Sequence, residues 1–156
     1  MTHETFDRLA RLYMDAVFRL VFSYLKNRSD AEDVTQTALL RLYQCQKEFE
    51  SDEHVKHWLL RVAVNECKKL WRSPWQRRES LETYAESLSF PQPRDRELFD
   101  AIMALEKKYR VVIVLHYCEG YTIREMAALL QLPPGTVGTR LNRGREKLKA
   151  YLTEAD

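Results

Sequence analysis

Apolar side chains recur every three or four residues along most of the chain, the period of an α-helix rather than of a strand. From about Thr5 to Lys26, Phe6, Leu9, Tyr13, Val17, Leu20 and Tyr24 keep this spacing and predict a long amphipathic helix that Asn27-Arg28 ends. Ser29 and Glu32 have the spacing of a capping box, so a second helix is expected from there to about Lys47, burying Val34, Ala38, Leu42 and Cys45. A polar loop from Glu48 to Glu53, carrying Phe49, leads into a third helix from about His54 to Arg72. Its residues divide into an inward stripe (Leu59, Val62, Ala63, Cys67, Leu70) and an outward one (Arg61, Asn65, Lys68, Arg72), with Lys69 and Trp71 flanking the second.

Between Ser73 and Arg94 the pattern dissolves into Ser, Pro, Glu and Gln, which is linker chemistry, with one short helical turn expected around Leu81 to Ala85. Helical spacing resumes with Leu98, Ile102, Leu105 and Tyr109. Val111 to Leu115 has strand propensity, yet its neighbours are helical and no partner strand exists elsewhere, so it reads as buried helix. Gly120 stops that helix. Thr122 with Glu125 forms a capping box that opens the next, whose apolar positions are Ile123, Met126, Ala127 and Leu130. The pattern breaks at Leu132-Pro133-Pro134-Gly135, where the first proline cannot continue a helix and the second suits the first turn of a new one. In that last helix Val137, Leu141, Gly144, Leu148 and Leu152 share one side, and Arg140, Arg143 and Lys147 another. The result is a helix, a tight turn and a helix in an all-α chain.

Composition narrows the function classes. With 156 residues, 45% apolar and 31% charged, the chain holds one ordinary domain or two small helical ones. No apolar run reaches the roughly twenty residues that span a bilayer. The N-terminus lacks the basic-then-apolar layout of a signal peptide, so a cytoplasmic protein is expected. Cys45, Cys67 and Cys118 are odd in number and lie in apolar helical segments, as reduced core thiols would. His54 and His57 are a close pair without the further ligands of a zinc site, and no metal or cofactor is expected. No activated nucleophile, matched carboxylate pair or phosphate loop suggests catalysis.

Net charge is only +2, so what matters is where the charge lies. Gly138 to Lys149 holds five basic residues (Arg140, Arg143, Arg145, Lys147, Lys149) against one acid, Glu146. Such a helix suits a DNA major groove, with Thr136 and Thr139 near base edges and the arginines on phosphate or guanine. An ordinary helical hairpin with a solvated basic face has the same spacing. The Arg61 to Arg72 stripe offers cations for phosphate, an amide for a base edge and rings for stacking, or again a solvated face. Asp30, Glu32 and Asp33 open the second helix, where acids complement the helix dipole in any protein.

Three stretches in this order resemble one family: Asp30-Ala-Glu-Asp33-Val-Thr-Gln36; Trp58-Leu-Leu-Arg61-Val-Ala-Val-Asn65; and Tyr109-Arg110, Glu119-Gly120-Tyr-Thr, Glu125-Met-Ala127 with Gly135-Thr-Val-Gly-Thr-Arg140-Leu-Asn-Arg143. The chain resembles a bacterial RNA polymerase sigma factor of the extracytoplasmic-function group. The resemblance implies two small helical domains joined by a flexible linker: sigma region 2 over residues 1–72, a linker over 73–94, and sigma region 4 with its helix-turn-helix over 95–156. It implies that Asp33 and Gln36, with Asp30 and Glu32 nearby, face the coiled coil of the polymerase largest subunit. Region 4 would meet the flap. Arg61, Asn65, Lys68 and Lys69, with Phe49 and Ser51 in the loop, would hold the single-stranded −10 element around a flipped base. Thr136, Thr139, Arg140, Arg143 and Lys147 would read the −35 element. A sigma factor catalyses nothing and takes no small-molecule substrate. An anti-sigma factor, often membrane-anchored and released in a stress response, is the further implied partner; clamping two tethered domains together hides both surfaces.

The chain departs from the family pattern in three places. Gly138 replaces a usual basic residue and Gly144 a usual alanine, each costing a helix interior about 1 kcal/mol relative to Ala. Gly138→Lys is therefore expected to strengthen promoter binding. The loop Glu50-Ser-Asp-Glu53 is more acidic than a DNA-facing loop should be. Two other readings compete: a stand-alone helix-turn-helix regulator, which leaves the Arg61 to Arg72 stripe unexplained, and a helical adaptor that binds only proteins.

Overall fold

A computed structural model describes residues 1–71 and 92–154. Two compact units, Met1–Arg78 and Glu79–Asp156, divide the chain. Arg72, most of the expected linker and its expected turn around Leu81 to Ala85 lie outside the described residues.

The first unit contains α1 (His3–Leu25), α2 (Arg28–Gln44) and α3 (Asp52–Trp71), each packed on the other two. The Thr2 hydroxyl caps α1, accepting from the Thr5 N–H. Lys26, in the left-handed region at φ 51°, ends it. This reversal brings Asn27 into the N-cap of α2, where its side chain accepts the Asp30 N–H at 2.9 Å. The cap is thus Asn27 and not Ser29, which lies inside the first turn: with the chain already reversed at Lys26, the asparagine oxygen reaches the orphan N–H first. The core consists of Leu9, Val17, Leu20 and Val21 from α1, Ala31, Ala38 and Leu42 from α2, and Leu59, Leu60, Ala63, Val64 and Cys67 from α3. The buried face of α3 is turned from the expected stripe toward Leu60 and Val64, because it is wedged between two helices and must cover both; Val62 and Leu70 are only half-buried. Helix α2 ends at Gln44, so Cys45 is its half-buried C-cap.

The second unit contains α4 (Pro93–Ala104), α5 (Lys107–Tyr117), α6 (Ile123–Leu130) and α7 (Pro134–Glu154). Helix α4 opens on Pro93 in its first turn, within the stretch expected as linker, and the Asp95 carboxylate accepts the Gln92 N–H at 3.1 Å. The spacing from Leu98 to Tyr109 is not one helix. Leu105 and Glu106 are extended, and α5 restarts at Lys107. Arg110, only 4% exposed, closes this break by donating Nη1–H to the Leu105 carbonyl at 2.8 Å. The kink puts Ala101, Met103 and Leu105 inside and leaves Leu98 exposed. The β-branched run from Val111 to Leu115 is buried helix, as its neighbours required.

Helix α5 ends in a wide turn in which Gly120 has φ 70°, and the Gly120 and Tyr121 N–H groups donate to His116 and Leu115. Cys118, at the C-cap, is exposed, so it is not a core thiol: the helix has finished and its last residues face outward. Thr122 and Glu125 then form the reciprocal capping box of α6, both bonds 3.1 Å. Helix α6 ends at Gln131, left-handed at φ 56°, with the Leu132 N–H donating to Ala127 at 3.1 Å. Pro134 then starts α7.

Candidate nucleic-acid interface

On α2 the acid-led end separates into two environments. Glu32, Asp33 and Gln36 are exposed, whereas Asp30 is only 9% exposed. Asp33 and Gln36 continue, at helical spacing, into Leu40 and Tyr43, both more than half exposed. The pattern search missed these two. On a helix whose inner face is already filled by Val34, Ala38 and Leu42, large apolar side chains on the outer face are the available signal.

Helix α3 presents Asn65 and Lys69 fully outward, with Arg61 and Lys68 half-buried on the same side. Lys69 is tied by its ammonium to the Glu66 carboxylate at 3.3 Å. The same Glu66 oxygen takes Arg41 Nη2 of α2 at 2.7 Å. Trp71 is exposed, in keeping with its place beside the outward stripe. In the preceding loop Phe49 is half-buried, edge-to-face with His54 at 5.3 Å and with Trp58 at 5.7 Å, while Lys47 Nζ lies 5.9 Å from its ring centre. Ser51 caps α3, its hydroxyl accepting the His54 N–H at 3.1 Å. Two of the acids in this loop belong to the start of α3, and one has a partner: Asp52 receives a bidentate Arg8 at 2.7 and 3.2 Å. That guanidinium holds the Asp52 carboxyl below its ordinary range and is itself raised by the pair. Tyr13 nearby is pushed up by burial and then by Glu53 and Asp52.

At the helix-turn-helix, Thr136, Thr139, Arg140 and Arg143 line one open groove of about 320 Å³ with Gly135, Lys108 and Tyr109. Lys108 lies in another helix and escaped the sequence reading; only the packing of α5 on α7 brings it here. Lys108 and Lys147 place their ammonium groups 5.1 and 5.5 Å from the Tyr109 ring centre, a pair of cation–π contacts that gathers positive charge beside the groove. Arg145, counted in the basic run, points elsewhere. Its Nε–H donates to the Tyr117 hydroxyl, its guanidinium carbon is 5.5 Å from the Tyr117 ring centre, and Nη2 lies 3.3 Å from His116 Nε2. His116 Nδ1 faces the Tyr121 carbonyl at 2.7 Å, which places the proton on Nδ1 and leaves Nε2 to accept from Arg145.

Gly138 and Gly144 of α7, which carry the same helix-propensity cost, differ in their surroundings. A Cβ on Gly138 would meet Ile123 Cδ1 at 3.8 Å, ordinary contact. On Gly144 it would meet Ile113 Cγ1 at 3.1 Å and Tyr109 Cβ at 3.4 Å. Arg110, which with Tyr109 is among the residues that carry the family resemblance, is structural: burial pushes its guanidinium down to about 10, so it remains charged at neutral pH on the Leu105 carbonyl. Among the described residues no group of three or more His, Cys, Asp or Glu side chains is placed to hold a metal, and no helix is long and apolar enough to cross a membrane.

Residues 9–79 match Sigma-70 region 2, and residues 95–148 match Sigma-70, region 4. The ECF RNA polymerase sigma factor SigW of Bacillus subtilis is 28% identical over 169 residues, covering 97% of this chain and 90% of SigW. The RNA polymerase sigma-E factor of Streptomyces coelicolor is 31% identical over 155 residues, covering 97% of this chain and 88% of its own. Among solved structures, the sigma factor RpoE of Bartonella quintana, in complex with the anti-sigma factor NepR, shares the fold with a TM-score of 0.74 at 21% identity, covering 96% of this chain and 98% of RpoE.

Proposed function

The chain belongs to the sigma-70 family of RNA polymerase sigma factors, in its extracytoplasmic-function group, and on that premise we propose how its two units divide the work. As a member of this family it is an alternative, non-catalytic initiation factor that gives core polymerase its promoter choice. Residues 1–72 act as region 2, 73–94 as the linker and 95–156 as region 4.

Asp33, Gln36 and Glu32 of α2, extended by Leu40 and Tyr43, dock on basic and apolar side chains of the polymerase largest subunit; Asp30 shapes the same end from inside. Asn65, Arg61, Lys68 and Lys69 hold the single-stranded −10 element, with the Phe49, His54 and Trp58 rings beside them as a surface for an unstacked base. Ser51 contributes by fixing the start of α3. Thr136, Thr139, Arg140 and Arg143 read the −35 duplex, with Lys108 and Lys147 on the backbone phosphates. An anti-sigma factor, the partner that RpoE of Bartonella quintana carries, occupies these faces until an envelope or stress signal releases the cytoplasmic protein.

The observation that carries the reading is that one groove collects four of the −35 candidates in the unit matched to region 4, while the unit matched to region 2 presents Asn65 and Lys69 outward. Run-off transcription tests it, using purified core polymerase on pooled fragments of the source genome, with and without this protein. Defined new transcripts are expected. Absence of transcripts together with failure to co-elute with core polymerase would leave the stand-alone regulator in its place.

A further inference from the structure

Lys69 reaches the surface already bound. Its ammonium lies 3.3 Å from Oε1 of Glu66, three residues earlier on α3, while the lysine side chain is 70% exposed and Glu66 only 18%. The same oxygen is held by Arg41 of α2 at 2.7 Å. A carboxylate so placed presents a fixed negative oxygen to Lys69, as a DNA phosphate would. The two unequal bonds set the direction of exchange. The shorter bond, to Arg41, keeps Glu66 compensated when Lys69 leaves, so no charge is stranded by the departure. The longer one, to a mostly solvated lysine, is of the weak surface kind.

We propose that Glu66 is a positioning residue that holds Lys69 back from the promoter strand, so that strand phosphate must displace it. This rests on the reading of α3 as the strand-contact helix. Lys69 therefore reaches the strand only by exchanging Glu66 for a phosphate, and the cost of that exchange keeps its net contribution to strand affinity small. Asn65, Arg61 and Lys68 carry most of the strand affinity.

The test is fluorescence anisotropy of the full chain with a fluorescein-labelled single-stranded oligodeoxynucleotide of randomised sequence across a salt series, because phosphate contacts are sequence-independent. Glu66→Gln keeps an acceptor for Arg41 while removing the charge. It is expected to tighten binding about 1.4- to fivefold, the range an exposed ion pair spans, and to steepen the salt dependence by about 0.7 in log K per log salt, one more phosphate contact on a single strand. Lys69→Gln alone should change little, and added to Glu66→Gln it should return both quantities to the parent values. A merely structural Glu66 would shift thermal unfolding and leave the salt slope unmoved. If Lys68→Gln weakens binding while Glu66→Gln leaves the slope unchanged or weakens binding, the restraint is wrong and the strand-contact reading stands. If the parent does not bind, or Lys68→Gln has no effect, both fall.

Discussion

Replacing Gly144 by alanine sets two effects of similar size against each other. Helix propensity favours alanine over glycine in a helix interior by about 1 kcal/mol. The added Cβ, however, would lie 3.1 Å from Ile113 Cγ1, 3.3 Å from Ile113 Cδ1 and 3.4 Å from Tyr109 Cβ. Ile113 is 1% exposed and Tyr109 5%, so neither can swing into solvent to make room. Overpacking of this kind costs about 1–3 kcal/mol, which leaves Gly144→Ala net destabilised by up to about 2 kcal/mol. Gly138 is the internal control, on the same helix with only Ile123 Cδ1 at 3.8 Å, and Gly138→Ala should gain about 1 kcal/mol. Trp58, Trp71 and Trp75 all precede the second unit, so that unit contains no tryptophan of its own to report on its core. Amide hydrogen exchange in α5 and α7 during urea titration follows the transition directly. Ile113→Val in the Gly144→Ala background removes the δ-methyl and should recover part of the loss. If Gly144→Ala stabilises as much as Gly138→Ala, the close approach of α5 and α7 does not govern this position.

Gln131 holds a left-handed conformation at the end of α6 without being glycine, so Gln131→Gly should raise stability by about 0.5–1 kcal/mol, read as a rise in thermal midpoint by circular dichroism. Arg110→Ala should lower stability by about 2–4 kcal/mol, since it removes the donor to Leu105 and leaves a void at the break between α4 and α5; a loss as small as that of a surface arginine would refute the structural role. The Asp52 carboxyl is lowered by Arg8, so the pair's contribution is present above the ordinary aspartate pKa of about 4 and is lost as pH falls through the depressed folded value. Asp52→Asn should therefore flatten the acid limb of a stability-against-pH curve, and an unchanged limb would show that the pair does not persist in solution. Arg143→Gln should weaken binding to a −35 duplex and reduce its salt slope by about 0.9, measured by anisotropy.

How far the sequence carried depended on how local the cause was. Helix existence, the Thr122–Glu125 capping box, the proline turn and the helical state of Val111 to Leu115 follow from spacing and backbone chemistry within a few residues, and all are found. The cap of α2 did not follow, because whether Asn27 or Ser29 reaches the free N–H depends on the left-handed residue at Lys26, which no side-chain pattern marks. The break at Leu105 was invisible for a related reason: a buried arginine five residues on supplies the donor that makes a broken helix tolerable.

The sequence by itself determined that this is an all-α chain of two helical groups with charge concentrated on α3 and α7, since periodicity, capping and charge order are properties of neighbours along the chain. Tertiary structure alone decided which of those charges are available. Lys108 joins the α7 groove from α5, Arg145 turns to Tyr117 and His116, Asp30 goes inside, and Lys69 is held by a glutamate anchored on α2. A side chain's partner is set by distances between helices, and those distances are fixed by how the apolar faces pack.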